Sequence, residues 1–182
     1  MAIPQLVTVR DFTTSRYAQI AENTEGQLTD ILARAETAIQ SRLGRRLLLQ
    51  AYTESFRAKY QGFFVKHRPI VSVQQIRRRI NVTYAWEIIA APQISIDAGP
   101  GYVESIDPIR GYEIEVTYTA GYALAELPED IKEAILMQAV LFSFQDLEIY
   151  GTGDAKAPGI LYFHEDIDRI LKPYKATNTV YH

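Results

Sequence analysis

The stretch Tyr112-Glu113-Ile114-Glu115-Val116-Thr117-Tyr118-Thr119-Ala120-Gly121-Tyr122, followed after a short spacer by Leu127-Pro128-Glu129-Asp130-Ile131, decides how this chain is read. Over residues 112–118 polar and apolar side chains alternate, which predicts a strand with one polar face and one apolar or aromatic face. Gly121 ends it in a turn. Leu127-Pro128-Glu129-Asp130 then opens a helix, with proline suited to the first helical position and two acids near the positive end of the macrodipole. The helix is expected over residues 128–150, stopping before Gly151-Thr152-Gly153, a length of about 35 Å. Between Ala134 and Phe144 only Gln138 and Ser143 interrupt its apolar character. A helix apolar on nearly every side is buried on several faces, by its own domain, by neighbouring subunits or by both.

Upstream, residues 47–122 form a β region in which β-branched and aromatic runs are separated by Gly, Pro and Asn. Strands are expected at 48–59, 62–65, 72–80, 83–88, 93–97, 101–104 and 112–118. Pro92, Pro100 and Pro108 lack a backbone donor and belong at turns, edges or strand starts. Before this region a helix over residues 24–44 is marked by Thr24 with Gln27 at capping-box spacing and by Gly44 at its end. Leu28, Ile31, Leu32, Ala35, Ile39 and Leu43 fall on one face of it. A shorter helical turn starts at Thr8, with Asp11 three residues on. Downstream, a Gly/Pro-containing loop leads to a C-terminal helix over 160–172, ended by Pro173, and to a tail over 173–182 that is mobile unless a partner holds it. The expected fold class is α+β: a bundle of about three helices, one long and buried, with an antiparallel β region inserted between the first and second major helices. Residues 1–182 read as a single domain.

At 182 residues, 47% hydrophobic and 23% charged, the composition is that of a globular protein. The formal net charge of −3 gives no global electrostatic reason to bind nucleic acid as a monomer. Residues 1–125 carry 14 Lys/Arg against 12 Asp/Glu and residues 126–182 carry 5 against 10, so the acidic part is C-terminal. No cysteine is present, which excludes disulfides, thiolate zinc sites and Cys nucleophiles. The start has no signal-peptide pattern and no run reaches the length of a membrane span, so no membrane association is expected.

Catalytic chemistry finds little support. His67, His164 and His182 are far apart and none has HxxxH or HExxH spacing. His164-Glu165-Asp166 with Asp168 reads as a solvated acidic helix face, because successive helical side chains point apart. Gly99-Pro100-Gly101 and Gly151-Thr152-Gly153 are loops rather than phosphate cradles. No enzyme activity, cofactor or metal is expected. Among the basic groups, Arg45-Arg46 follows the first helix, where positive charge complements a helix C-terminus. Arg77-Arg78-Arg79 lies in a strand, with Arg77 and Arg79 on one face and Arg78 with Ile76 and Ile80 on the other. Two readings of these arginines stay open. They are solvated or ion-paired, or they meet a subunit, a partner or DNA phosphate.

Three segments in order resemble the head-to-tail connector family of tailed bacteriophages, the head-completion or adaptor proteins. They are Ile114–Tyr122 with Leu127–Leu136, Leu28–Leu43 with Gly44-Arg45, and Arg68-Pro69-Ile70-Val71-Ser72-Val73. The stretch from Asn81 to Arg110 and the tail after Gly151 match no motif of the family. The resemblance implies a structural virion protein of the phage neck, assembled in the host cytoplasm. It would form a ring with itself, usually of twelve copies, dock on the portal protein, meet tail-side neck or tail-terminator proteins, and pass double-stranded DNA through its lumen without sequence preference. Alternatives are a tail-terminator or head-closure neck protein, or a small cytoplasmic α+β enzyme or ligand-binding protein. Partner contacts are expected at Arg45, Arg46, Arg77 and Arg79 and, on a C-terminal docking tail, at Tyr174, Lys175 and Tyr181.

Overall fold

The computed structural model describes residues 5–18, 24–150 and 160–175. They form two compact units, one drawn from residues 1–44 and 126–176, the other built on residues 45–125. The architecture is α+β, with the antiparallel β region inserted between the two longest helices, as the alternation and the caps imply.

The first unit is helical, with α1 (Val9–Thr14), α2 (Glu25–Leu43), α3 (Glu129–Tyr150) and α4 (Ile160–Leu171). Both expected capping boxes are present. The Thr8 N–H donates to Asp11 Oδ2 at 2.7 Å and the Thr24 N–H to Gln27 Oε1 at 2.9 Å, and each threonine hydroxyl accepts in return. Such a cap is worth about 1 kcal/mol. At the other end of α2, Gly44 takes the left-handed conformation (φ 66°), and its N–H closes the last turn on the Gln40 and Ser41 carbonyls. Pro128 stands one residue ahead of the first helical position it was expected to fill, and its carbonyl accepts from the Ile131 and Lys132 N–H groups. α3 packs against both α2 and α4. Ile131, Ala134, Ile135, Val140 and Leu141 are at most 1% exposed. Of the two polar interruptions, Ser143 donates to the Ala139 carbonyl at 3.1 Å, whereas Gln138 Oε1 is buried with no partner among the described residues. Pro173 does not stop the chain's helical course outright, since a 3-10 turn over Lys172–Tyr174 follows α4.

A buried carboxylate fastens the N-terminal segment. Glu36, on the apolar face of α2, accepts from the Leu6 and Val7 N–H groups at 2.6 and 2.9 Å. Burial pushes its carboxyl above the ordinary carboxylate range, against the two hydrogen bonds that pull it down. Glu36→Ala, which orphans two N–H groups, is expected to cost about 1–3 kcal/mol in urea unfolding. Glu36→Gln keeps an acceptor and serves as the reference for pH. The folded-state pKa lies above the unfolded one, so the folded chain takes up the proton first. Relative to Glu36→Gln, the wild type is therefore most stable below the unfolded carboxyl value and loses that advantage as pH rises through the raised one. Midpoints that differ equally at every pH between 4 and 7 would contradict this.

The second unit holds two antiparallel sheets. One has the order β1 (Gln50–Arg57), β7 (Glu113–Ala120), β3 (Ile70–Arg79), β4 (Glu87–Ile88), and the other the order β2 (Gly62–Phe64), β6 (Tyr102–Ser105), β5 (Ile94–Asp97). β7 alternates as its sequence requires, with Ile114, Val116, Tyr118 and Ala120 fully buried and the intervening residues half-exposed. These four join Phe63, Val65, Ile76, Val103 and Ile109 in one apolar core. The expected strand at 83–88 is the main correction: only Glu87 and Ile88 pair. Asn81 takes the chain around before them, its Oδ1 accepting from both the N–H and the hydroxyl of Thr83 and its carbonyl from the Tyr84 N–H. An Asx turn of this kind outweighs the β propensity of Val82-Thr83-Tyr84.

Candidate interaction surfaces

The arginine triplet obeys strand alternation. On the polar face of the larger sheet, Arg77 pairs with Glu115 and Arg79 with Glu113, each directly across from its partner in the β3/β7 register. The Nε donors reach the carboxylates at 2.6 and 2.7 Å, and both guanidinium groups lie over the Trp86 ring, 5.0 and 4.3 Å from its centroid. On the opposite face Arg78 donates to Glu87 at 3.0 Å and to the Pro108 carbonyl at 2.7 Å, above the Tyr112 ring. The hydrogen bond from Arg78 holds the Glu87 carboxyl below its ordinary range. Of the two readings open for these arginines, the structure supplies ion pairing.

Arg45 and Arg46 separate. Arg45 is 8% exposed, and burial lowers its pKa against the opposing influence of Tyr122 and Tyr52. Arg46 is exposed and reaches Gln50 Oε1 at 3.3 Å. A polar cluster neighbours Arg45. The Tyr118 hydroxyl donates to Glu54 and accepts from the His67 N–H at 3.1 Å. The His67 ring stacks on Tyr52 with centroids 3.7 Å apart, and burial lowers its pKa. His67 is thus a packing residue.

The described part of the C-terminal segment is tied to the helical unit. The Tyr174 hydroxyl donates to Asp130 Oδ2 at 3.3 Å, and Lys175 Nζ donates to Asp168 Oδ1 at 2.9 Å. That bond and Arg42, 3.6 Å away, hold the Asp168 carboxyl below its ordinary range. His164 lies 3.2 Å from Arg42, and Asp166 pairs with Arg169, so the acidic side of α4 is a solvated, ion-paired face. Tyr181 lies outside the described residues. Among the described residues no group of His, Asp or Glu gathers as a metal site, and no helix is long and apolar enough to cross a membrane.

One surface escaped the sequence reading. Between β3 and β4, Ile80, Val82, Tyr84 and Ile88 are all exposed, Val82 to 73%. The sequence places Ile80 at the end of the 72–80 strand and Tyr84 and Ile88 in the 83–88 strand, and only Asn81 between them signals a turn.

The profile of the family described as "Head completion protein" matches residues 5–176. Solved structures share the fold over the whole chain. A chain from the neck of an empty GTA particle computed with C6 symmetry has a TM-score of 0.62 at 17% identity, covering 100% of this chain and 96% of its own. A chain from the virion of a native gene transfer agent (GTA) particle gives 0.60 at 19%, with the same coverage. A chain from the neck of a native GTA particle computed with C12 symmetry gives 0.56 at 19%, covering 100% and 99%. No curated protein sequence matches.

Proposed function

The chain belongs to the head completion protein family, and from that premise we propose that it is a structural subunit of a virion neck, one of a ring of copies that docks on a portal and links a DNA-filled head to a tail. The observation that carries this reading is fold agreement along the entire chain with neck chains of particles computed with C6 and C12 symmetry. Twelve copies is the number those symmetries favour. The role is one of shape and multivalent contact rather than catalysis. Double-stranded DNA would pass through the lumen with phosphate contacts alone. The 22-residue α3, buried without interruption from Ala134 to Leu141, favours an adaptor over a β-rich terminator or closure protein at another level of the neck.

Partner contacts in this reading fall first on Arg46 and on the C-terminal tail with Tyr174, Lys175 and Tyr181. Arg45, Arg77 and Arg79 are weaker candidates, being buried or already paired. Native mass measurement of the protein alone and mixed with its portal is the test, and failure ever to associate with a portal ring would sink the assignment. Deleting residues 174–182 is expected to leave folding intact, because the exposed Tyr174 and Lys175 ties are each worth less than about 1 kcal/mol. The same deletion should lower portal binding at least tenfold; unchanged binding would remove the tail from the docking surface.

A further inference from the structure

The second unit leaves apolar side chains uncovered at both ends of β3. At one end is the β3–β4 arm, with Ile80, Val82, Tyr84 and Ile88 exposed to 49, 73, 56 and 64%. At the other end the segments around Leu49, Val71 and Leu124 converge. Gln50 and Ile70 both pair with Ala120, the Leu49 N–H donates to the Tyr122 carbonyl, and the Gly121 N–H donates to the Pro69 carbonyl. Leu49, Val71 and Leu124 are 47, 59 and 48% exposed. β3 spans ten residues between the two ends, about 30 Å, so the patches cannot cover one another within a single chain.

We propose that the two patches are the halves of one head-to-tail contact between copies of this chain, with the Ile80–Val82–Tyr84 arm of one copy seated on the Leu49–Val71–Leu124 end of the next. The inference rests on the ring reading above and supplies its lateral contact. A ring needs a heterologous contact, two different patches displaced around the subunit, whereas a two-fold dimer needs one patch that matches itself. Little charge opposes the contact, since the arm's only charged side chain over residues 80–88 is Glu87, which is already paired with Arg78. Area sets the strength. Each patch offers roughly 300–400 Å² of apolar surface, so one contact falls short of the ~1,200 Å² that a stable pair buries. A lone pair of copies is therefore weak, and the contact persists when a portal template holds many copies at high effective concentration.

The absence of cysteine from the chain makes the test clean. Val82→Cys and Val71→Cys change exposed side chains and are expected to leave folding intact. With the double variant bound to its portal, mild oxidation should give a ladder of disulfide-linked multimers of this chain, while either single variant gives none. A Val82→Asp variant should need at least tenfold more protein to fill the portal ring. Rings present by native mass without a ladder would overturn the contact and leave the ring reading standing. A dimer from Val82→Cys alone would overturn it in favour of a two-fold arm-to-arm contact, and a link from position 82 to the portal protein would give the arm to that partner instead. If the wild-type chain forms no ring on the portal, the ring reading falls and this contact with it.

Discussion

Gly121→Ala is expected to destabilise the β unit by more than about 3 kcal/mol, the sum of backbone strain and an unavoidable clash. Gly121 has φ 112°, a conformation that side-chain-bearing residues rarely adopt. A Cβ there would stand 2.6 Å from the Leu48 carbonyl oxygen and 2.8 Å from that of Leu47. Neither oxygen can retreat at low cost. The Leu47 carbonyl accepts from the Tyr122 N–H at 2.8 Å, and Leu48 bridges Tyr122, so movement would pull the start of β1 off the end of β7. The chain's single tryptophan, Trp86, sits in the same unit and reports its unfolding by fluorescence. Urea midpoints for Gly121→Ala should fall sharply. Gly26→Ala, in α2 with open space around the site, should gain a few tenths to 1 kcal/mol. Equal small effects from both would show that the close approach at Gly121 is not what the geometry says.

This glycine also marks how far the sequence was legible. Alternation over 112–118 placed β7 and its two faces. The capping residues Thr24 and Gln27 placed α2, and Leu127–Asp130 placed the start of α3, because caps and periodicity are local and act within a few residues. What sequence could not give was pairing. Nothing local says that β7 lies between β1 and β3, or that strands 2, 5 and 6 form a sheet of their own, since register is settled by contacts remote in sequence. The same limit governed the candidate contacts. Arg77 and Arg79 could be placed on one face of a strand, but their neutralisation by Glu115 and Glu113 depends on which strand lies alongside. Nothing local in α2 marks Glu36 for burial, because its partners Leu6 and Val7 are 29 or more positions away. The apolar arm was hidden for the opposite reason, because β propensity over 83–88 imitated a full strand, of which the Asn81 turn leaves only Glu87 and Ile88 paired.

Tyr118→Ala is expected to cost about 3–5 kcal/mol, the range for removing a large buried aromatic side chain, and Tyr118→Phe about 1–3 kcal/mol for the hydroxyl alone. Tyr118 is fully buried in the middle of the sheet, opposite Tyr52 on β1 and Val73 on β3. Its hydroxyl joins two elements, donating to Glu54 on β1 and accepting from the N–H of His67, in the segment between β2 and β3. Phenylalanine preserves the packing and deletes both bonds. The His67 N–H then loses its acceptor, and Glu54 keeps only the Lys66 N–H, at 3.2 Å. Burial first, and the bond to Glu54 second, push the Tyr118 phenol well above its ordinary value. The folded-state pKa therefore exceeds the unfolded one, so the contribution is complete below the unfolded value near 10 and is lost as pH rises above it. Wild-type stability should accordingly fall between pH 9.5 and 11 by more than that of Tyr118→Phe, which has no phenol to ionise on unfolding. Parallel pH curves for the two proteins would mean that the hydroxyl is not held in this network. A Tyr118→Phe protein as stable as wild type at neutral pH would mean that the aromatic ring alone, without the Glu54–His67 link, secures the β2–β3 segment to the sheet.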